Sequence, residues 1–297
     1  MLLKKEFVLD ALARRRTNLY KGWYKFSRNP LSVAGLIILA LIVLAAVLAP
    51  HITPYPEHAG PYTNFSESSQ SPNRKYFFGT DTVGRDVFTR VVFGYRFSLS
   101  LAVVVICLSV PPGILLGLVA GYYQRTKLEI VIMRITDIFL AVPPLILALA
   151  ITAMLSPNIM NQMMAISLMW WPWYCRLVYS ITASLRNEYF VLEAELTGVR
   201  RIYILLRAIL PNCMGPVLTK ITLDMGFVIT LGASLSFIGL GVQPPKPGLG
   251  TMVADGAKRL PAEWWMTIFP ALAIVVVILA FNLVGDGLRD MFAVEEI

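Results

Sequence analysis

Two aspartates in apolar surroundings, Asp137 and Asp224, are the residues whose chemistry would matter most, because an acid in hydrocarbon is costly and needs either a partner or a task. Together they could in principle form an intramembrane aspartyl protease. No Tyr precedes Asp137 and no GxGD surrounds Asp224, so that reading has little behind it. Arg134, three residues before Asp137 on one helical face, predicts a structural ion pair. Asp224 shows no obvious local partner and is the stronger functional candidate. Other catalytic patterns are near misses. Gly250 to Lys258 resembles a phosphate loop but places Ala257 before the lysine and Arg259 where Ser or Thr would hold magnesium. Gly232-Ala233-Ser234-Leu235-Ser236 lacks the second glycine of a nucleophile elbow. No HExxH occurs, and His51 and His58 flank prolines and read as surface histidines, a poor metal site. Cys107, Cys175 and Cys213 are widely separated and read as small buried hydrophobes. No catalytic residue, metal site or resident cofactor is expected on this chain.

The most informative polar stretch runs from Glu188, Tyr189, Glu193 and Ala194 through Gly198, Arg200 and Arg201 to Leu210 and Pro211. Its pattern predicts a helix from Glu188 to Thr197, a turn at Gly198, and a second helix from Arg200 to Ile209 that ends before Pro211. A short helix standing proud of a membrane could sit in another protein's groove and convert that protein's motion into movement of the flanking spans. The plainer alternative is an interfacial loop. A second polar stretch, 51–79, is rich in Pro, Ser, Asn and Tyr and predicts extended and turn structure. It ends in Gly79-Thr80-Asp81-Thr82-Val83-Gly84-Arg85-Asp86-Val87, where Thr80 or Asp81 could cap a helix carrying Asp81–Arg85 and Asp86–Arg90 pairs. Asp81, Gly84, Arg85 and Asp86 could equally contact an external partner.

The elements that must position these stretches follow from composition. Of 297 residues 57% are hydrophobic and 15% charged, which excludes an ordinary water-soluble enzyme and a disordered chain. Six stretches approach the length of about 20 apolar residues that a membrane span requires. They run roughly 31–50, 97–121, 130–155, 160–183, 213–242 and 266–285. With the N-terminus inside, eighteen of the 26 Lys and Arg fall on cytoplasmic segments, which predicts that both termini are cytoplasmic. The net charge of +8 then reflects topology, and no nucleic-acid partner is needed to explain it. Residues 1–30 form a basic leader in which Tyr20, Trp23, Tyr24 and Phe26 alternate with Lys21, Lys25 and Arg28, the pattern of an interfacial helix. Gly113, Gly117 and Gly121, four apart, predict close helix packing, with a glycine hinge as the alternative. Pro143 and Pro144 predict a kink in the third span. Trp170, Trp171 and Trp173 read as an aromatic cluster, and Trp264 with Trp265 as an external interfacial pair.

Several of these motifs together resemble the membrane permeases of ATP-binding-cassette importers, in the dipeptide, oligopeptide and nickel branch. That family's coupling loop reads Glu-Ala-Ala-x-x-x-Gly, a spacer, then Ile-x-Leu-Pro. Here Glu193 and Ala194 occupy the alanine positions, Gly198 the glycine, and Leu210 and Pro211 the end, while Leu192 replaces the acid and Ala208 the isoleucine. The stretch Gly79 to Val87, Asp137-x-x-Leu140-Ala141-x-Pro143, Leu235 to Pro245 and Asn282 to Asp290 match in order. Gly232 stands where relatives carry a glutamate, with Asp224 two turns earlier as a displaced acid. The resemblance implies an all-α membrane protein of six transmembrane helices with the type I importer permease fold, multi-pass in the cell membrane. It divides the chain into a leader (1–30), a first span (31–50), an external loop with its capped helix (51–96), a permease core (97–290) containing the coupling loop (188–211), and a tail (291–297). Implied partners are a second homologous permease, two cytoplasmic ATPase subunits that hold ATP and magnesium, and an external solute-binding protein. Asp224, Gly232 and Ser236 would be the first residues to test along the path. Peptide is the expected solute, with oligosaccharides or nickel chelates as alternatives. An ion-coupled secondary transporter using Asp224 is the rival class.

Overall fold

Apolar runs bounded by caps become long helices in the computed structural model, which describes residues 22–292. Residues 1–21 and 293–297 lie outside the described residues, and with them most of the expected interfacial helix and of the tail. Residues 22–28 are helical, with Phe26 buried and Trp23 and Tyr24 exposed. Asn29 then accepts from the backbone N–H groups of Leu31 and Ser32, and Pro30 takes the first helical position, so helix α1 (Pro30–Ile52) starts where the sequence dictates.

Helix α2 (Val87–Tyr122) has 36 residues and spans roughly 54 Å, well beyond the ~30 Å of bilayer hydrocarbon. The expected surface helix and second span are therefore one continuous element. Its cap is Asp86, which accepts from the Thr89 N–H at 2.8 Å; Thr80 and Asp81 stay outside the helix. Helices α3 (Lys127–Leu140) and α4 (Pro144–Ala153) meet at 87°, because Pro143 and Pro144 disfavour a helical approach. Helix α5 (Ile159–Leu185) leads to the short α6 (Tyr189–Leu196). Helix α7 (Arg201–Phe237) follows, then α8 (Leu249–Ala257) and α9 (Trp265–Phe292). Among the described residues no strand forms; a lone bridge joins Thr80 and Asp86.

Among the described residues four helices, α1, α2, α7 and α9, are long and apolar enough to cross a membrane, and the bent pair α3–α4 would make a fifth. The expected fourth span corresponds to α5, whose 27 residues give it the length but whose Asn161, Gln162, Ser167 and Arg176 dilute its apolar character.

The most extensive helix contact is between α2 and α5. It rests on the three glycines. A Cβ on Gly113 would come 2.6 Å from Tyr174 Cβ, one on Gly117 2.6 Å from the Cys175 carbonyl oxygen, and one on Gly121 2.6 Å from Thr182 Cβ. All three are closer than atoms can pack, so only glycine admits this approach. Around the seam Val105, Ile106, Ile166, Trp170, Tyr174, Val178, Cys213, Val217 and Leu235 form the main core. Cys175 and Cys213 are buried as expected, and Cys107 is exposed.

Candidate functional site

The segment between α5 and α7 is built on a helix end that its sequence specifies. Thr197 closes α6, the Gly198 N–H bonds the Glu195 carbonyl and the Val199 N–H bonds the Ala194 carbonyl, each at 3.0 Å. This is a Schellman termination, and Gly198 supplies its left-handed residue at φ +75°. No atom lies within 4 Å of a Cβ placed there, so the glycine serves backbone conformation and not packing. Val191 and the half-buried Ala194 face the core, whereas Tyr189 and Leu196 are 83% and 88% exposed. Just beyond, Ile202 and Tyr203 are exposed as well, beside exposed Arg200 and Arg201. Glu188 and Glu193 are also exposed.

The expected stop before Pro211 is absent. Arg201 opens a helix that continues through Leu210 and Pro211 into the long apolar run, and its turn Ile204–Ile209 is π-helical. Pro211 lacks an N–H, so an α-helical ladder would lose a bond there; the wider turn accommodates the gap and the Asn212 side chain donates to the Ala208 carbonyl at 2.7 Å.

A triangle of side chains that motif reading misses ties α6 down. Glu195 receives a 2.5 Å hydrogen bond from the Tyr122 hydroxyl at the end of α2 and pairs at 2.8 Å with Arg186 at the end of α5. Arg186 in turn stacks over the Tyr122 ring, 4.9 Å from its centroid. Nothing local in the sequence signals this, since Tyr122 is 73 residues from Glu195.

Asp224 is buried and partnered. Lys220, one turn earlier, pairs with it at 3.1 Å, and the Trp170 indole N–H donates to its other oxygen at 2.9 Å. The Lys220 ammonium also lies over the rings of Trp173 and Tyr174. Lys220 lies four residues before Asp224, the spacing at which helical side chains pair, so the acid has a local partner, contrary to the expectation from sequence. Lys220 and Asp224 border a cavity of about 550 Å³ whose wall includes Leu177, Leu223, Arg289 and Phe292. Gly232 and Ser236 are not part of it. They meet Gln162, whose amide donates to the Gly232 carbonyl at 2.7 Å and to the Ser236 hydroxyl at 3.3 Å, around a void of about 20 Å³. A Cβ on Gly232 would strike Leu101 of α2. Asp137 pairs with Arg176 of α5 and not with Arg134.

The stretch ahead of α2 forms a knot. The two oxygens of Asp81 accept from the Val83 and Arg85 N–H groups and pair with the Arg85 guanidinium at 2.7 Å; Arg90 lies 3.6 Å away. The expected Asp86–Arg90 pair is replaced by this one, and Arg90 donates instead to the carbonyls of His58 and Pro245. Gly84, at φ +82°, turns the chain against Asn64. His58 is no surface residue. It is 2% exposed, stacked between Tyr55 and Tyr62, and its Nδ1 accepts from the Asp86 N–H at 2.8 Å. Burial holds its pKa below the ordinary value and outweighs the opposing pull of Glu57. Burial pushes the Asp86 carboxyl up, against the Thr89 hydrogen bonds. Glu67 bonds both Lys75 and Tyr76; the Lys75 contact, then Tyr76, holds its pKa down, while burial and that same bond push Tyr76 up to about 12. Trp265 is buried, donating to the Thr80 carbonyl at 3.1 Å, so only Trp264 keeps the exposed position expected of the pair. No cluster of three His, Cys, Asp or Glu suited to a metal occurs among the described residues.

Residues 113–293 match the family model of the binding-protein-dependent transport system inner membrane component, and residues 19–72 match the N-terminal TM domain of oligopeptide transport permease C. The chain is 40% identical to the dipeptide transport system permease protein DppC of Alkalihalophilus pseudofirmus, over 91% of this chain and 88% of that one. It is 33% identical to the probable D,D-dipeptide transport system permease protein DdpC of Escherichia coli, over 98% and 96%. The glutathione transport system permease protein GsiD of Pectobacterium atrosepticum is 34% identical over 93% and 90%.

Proposed function

This chain belongs to the family of binding-protein-dependent transport system inner membrane components, and from that premise we propose that it forms half of a pathway importing di- or oligopeptides, driven by ATP hydrolysed on partner subunits. It is a membrane permease. The proposed topology has six crossings, with α3–α4 as the third and α5 as the fourth, and both termini in the cytoplasm. The concentration of Lys and Arg on that side supports it. A second permease would complete the pathway, two ATPase subunits would bind ATP and magnesium below it, and a solute-binding protein would deliver the peptide from outside. No residue of this chain carries out catalysis.

The observation that carries this reading is α6. A two-turn helix that leaves Tyr189 and Leu196 almost fully exposed, on a polar segment braced against the core, has the form of an insert for another protein's groove. Glu188, Tyr189, Glu193, Ala194, Gly198, Arg200, Arg201, Leu210 and Pro211 make up this coupling loop. ATP binding would close the ATPase dimer, carry α6 with it and swing the attached helices from an inward-facing to an outward-facing arrangement. The cavity beside Asp224 is the proposed stretch of path, with Gly232 and Ser236 supporting it through packing against α2 and α5. On the outer side, Asp81, Gly84, Arg85 and Asp86 act on the binding protein indirectly, by holding the shape of a platform whose exposed side chains include Phe65 and Phe77.

Peptide enters as the solute because the relatives named above carry dipeptide, D,D-dipeptide or glutathione transport in their names. The deciding experiment reconstitutes the chain with its partner subunits in liposomes and follows uptake of a labelled dipeptide. Uptake should require ATP and persist with an uncoupler present. Uptake that ignores ATP and collapses with the uncoupler would establish the ion-coupled class instead, a role for which the Lys220–Asp224 pairing offers little support. Preferential uptake of an oligosaccharide or a nickel chelate would keep the permease and replace the solute.

A further inference from the structure

The glycine seam and the Glu195 triangle together make a lever. Because Gly113, Gly117 and Gly121 bring α2 and α5 into backbone contact, the two helices cannot slide past each other without atoms overlapping, and they move as one body. Gln124 extends the bond between them by donating to the Ala183 carbonyl at 2.9 Å. Glu195 holds this body at one end by both of its members at once, through Tyr122 of α2 and Arg186 of α5. Downstream of α6 the connection differs: Gly198 has open space around it, and the chain runs directly into α7. The docking helix is thus tied to the α2–α5 body through the Glu195 side chain and reaches α7 through the Gly198 turn and its packing on the turn Ile204–Ile209.

We propose that Glu195 is the positioning residue through which α6 moves the α2–α5 pair, so that ATPase closure reaches that pair by this route. The inference rests on the coupling reading of α6. Energetics favours a transmitting role over a stabilising one. The Arg186 and Glu195 side chains are 25% and 27% exposed, so solvent reaches the pair and screens it, and it adds little to stability. The contact with Tyr122 is charge-assisted and buried on one side, which makes it stiff and directional.

The test uses the complete importer in liposomes and measures dipeptide taken up per ATP hydrolysed. For Glu195→Ala, copurification of the ATPase subunits should be unchanged and hydrolysis should continue, while uptake per ATP falls about tenfold, the scale of one lost charge-assisted contact. Tyr122→Phe, which removes a single hydroxyl, should lower the ratio in the same direction with no change in thermal stability. Exchanging the charges, Arg186→Glu with Glu195→Arg, should restore part of the ratio that Glu195→Arg alone loses. An unchanged ratio in Glu195→Ala overturns the proposal. So does loss of the ATPase subunits from that variant, because Glu195 would then shape the docking surface itself. Failure of the unaltered chain to copurify with ATPases would instead remove the underlying coupling reading.

Discussion

Two polar regions flank the helices of this permease, and they handle charge in opposite ways. The knot ahead of α2 turns its charged groups inward: Asp81, Asp86 and Arg90 are all buried, and His58 is packed between two tyrosines. The segment around α6 turns apolar groups outward, keeping one charged triangle as its anchor. Over-determined hydrogen bonding makes the first a fixed platform. The second is held by fewer side-chain contacts and a glycine turn, which suits the moving part proposed for it. On this contrast, substitutions in the knot should register as lost stability, and those around α6 as lost coupling with the fold intact.

The largest effect is expected from Asp81→Ala, which leaves Arg90 buried with no acidic partner from this turn; breaking such a pair costs about 3–5 kcal/mol. Thermal unfolding of the purified chain should show a drop of that size, and a shift near zero would break the contrast at its strongest point. Gly198→Val comes next, since a β-branched residue at φ +75° costs about 1–2 kcal/mol. Its stability loss should be modest, while stimulation of ATP hydrolysis by peptide-loaded binding protein disappears; retained stimulation would contradict a hinge at Gly198. A smaller effect concerns pH. Burial depresses the His58 pKa, so the stability it contributes is complete above its unfolded value of about 6.5 and is lost as pH falls through the depressed value. The melting temperature should therefore decline on acidification, and more shallowly in His58→Asn; identical pH profiles would show that His58 does not govern the knot. The smallest stability change, within about 0.5 kcal/mol, is expected for Leu196→Ser with Tyr189→Ser, whose side chains are already exposed. The same pair should abolish copurification of the ATPase subunits, and intact copurification would place the docking surface elsewhere.

How much of this could be read from the chain depended on the range of the interaction. Helix α1 begins at its Asn29-Pro30 signal because cap and first turn are adjacent in sequence. The Gly198 turn and the glycine seam follow from requirements of single residues: φ above zero in one case, the absence of a side chain in the other. Charged partners were harder to read. Asp137 has Arg134 one turn away, yet α5 runs beside α3 and offers Arg176 across the gap. Glu195 makes both of its bonds outside its own helix. Lys220 was within reach of helical spacing and decides the reading of Asp224, turning an isolated acid into half of an ion pair. Burial of His58 depends on three tyrosines closing around it, an arrangement that a proline-rich stretch without helical period does not announce. Helix α5 was legible as a helix from its length, but its buried Gln162 and Ser167 leave it less apolar than the four helices able to cross a membrane.

The π-helical turn at Ile204–Ile209 has a bearing on the phase of α7. Such a turn holds more residues per revolution than its α-helical neighbours, so it stores roughly one residue of surplus chain. Removing a single residue from it would let the turn tighten to α geometry without rotating Cys213 and Val217 away from the core they pack into. The same deletion a few residues later, where no surplus exists, would turn that face by about 100°. This stretch is therefore where the chain can lose a residue between α6 and the rest of α7 while keeping the two in register.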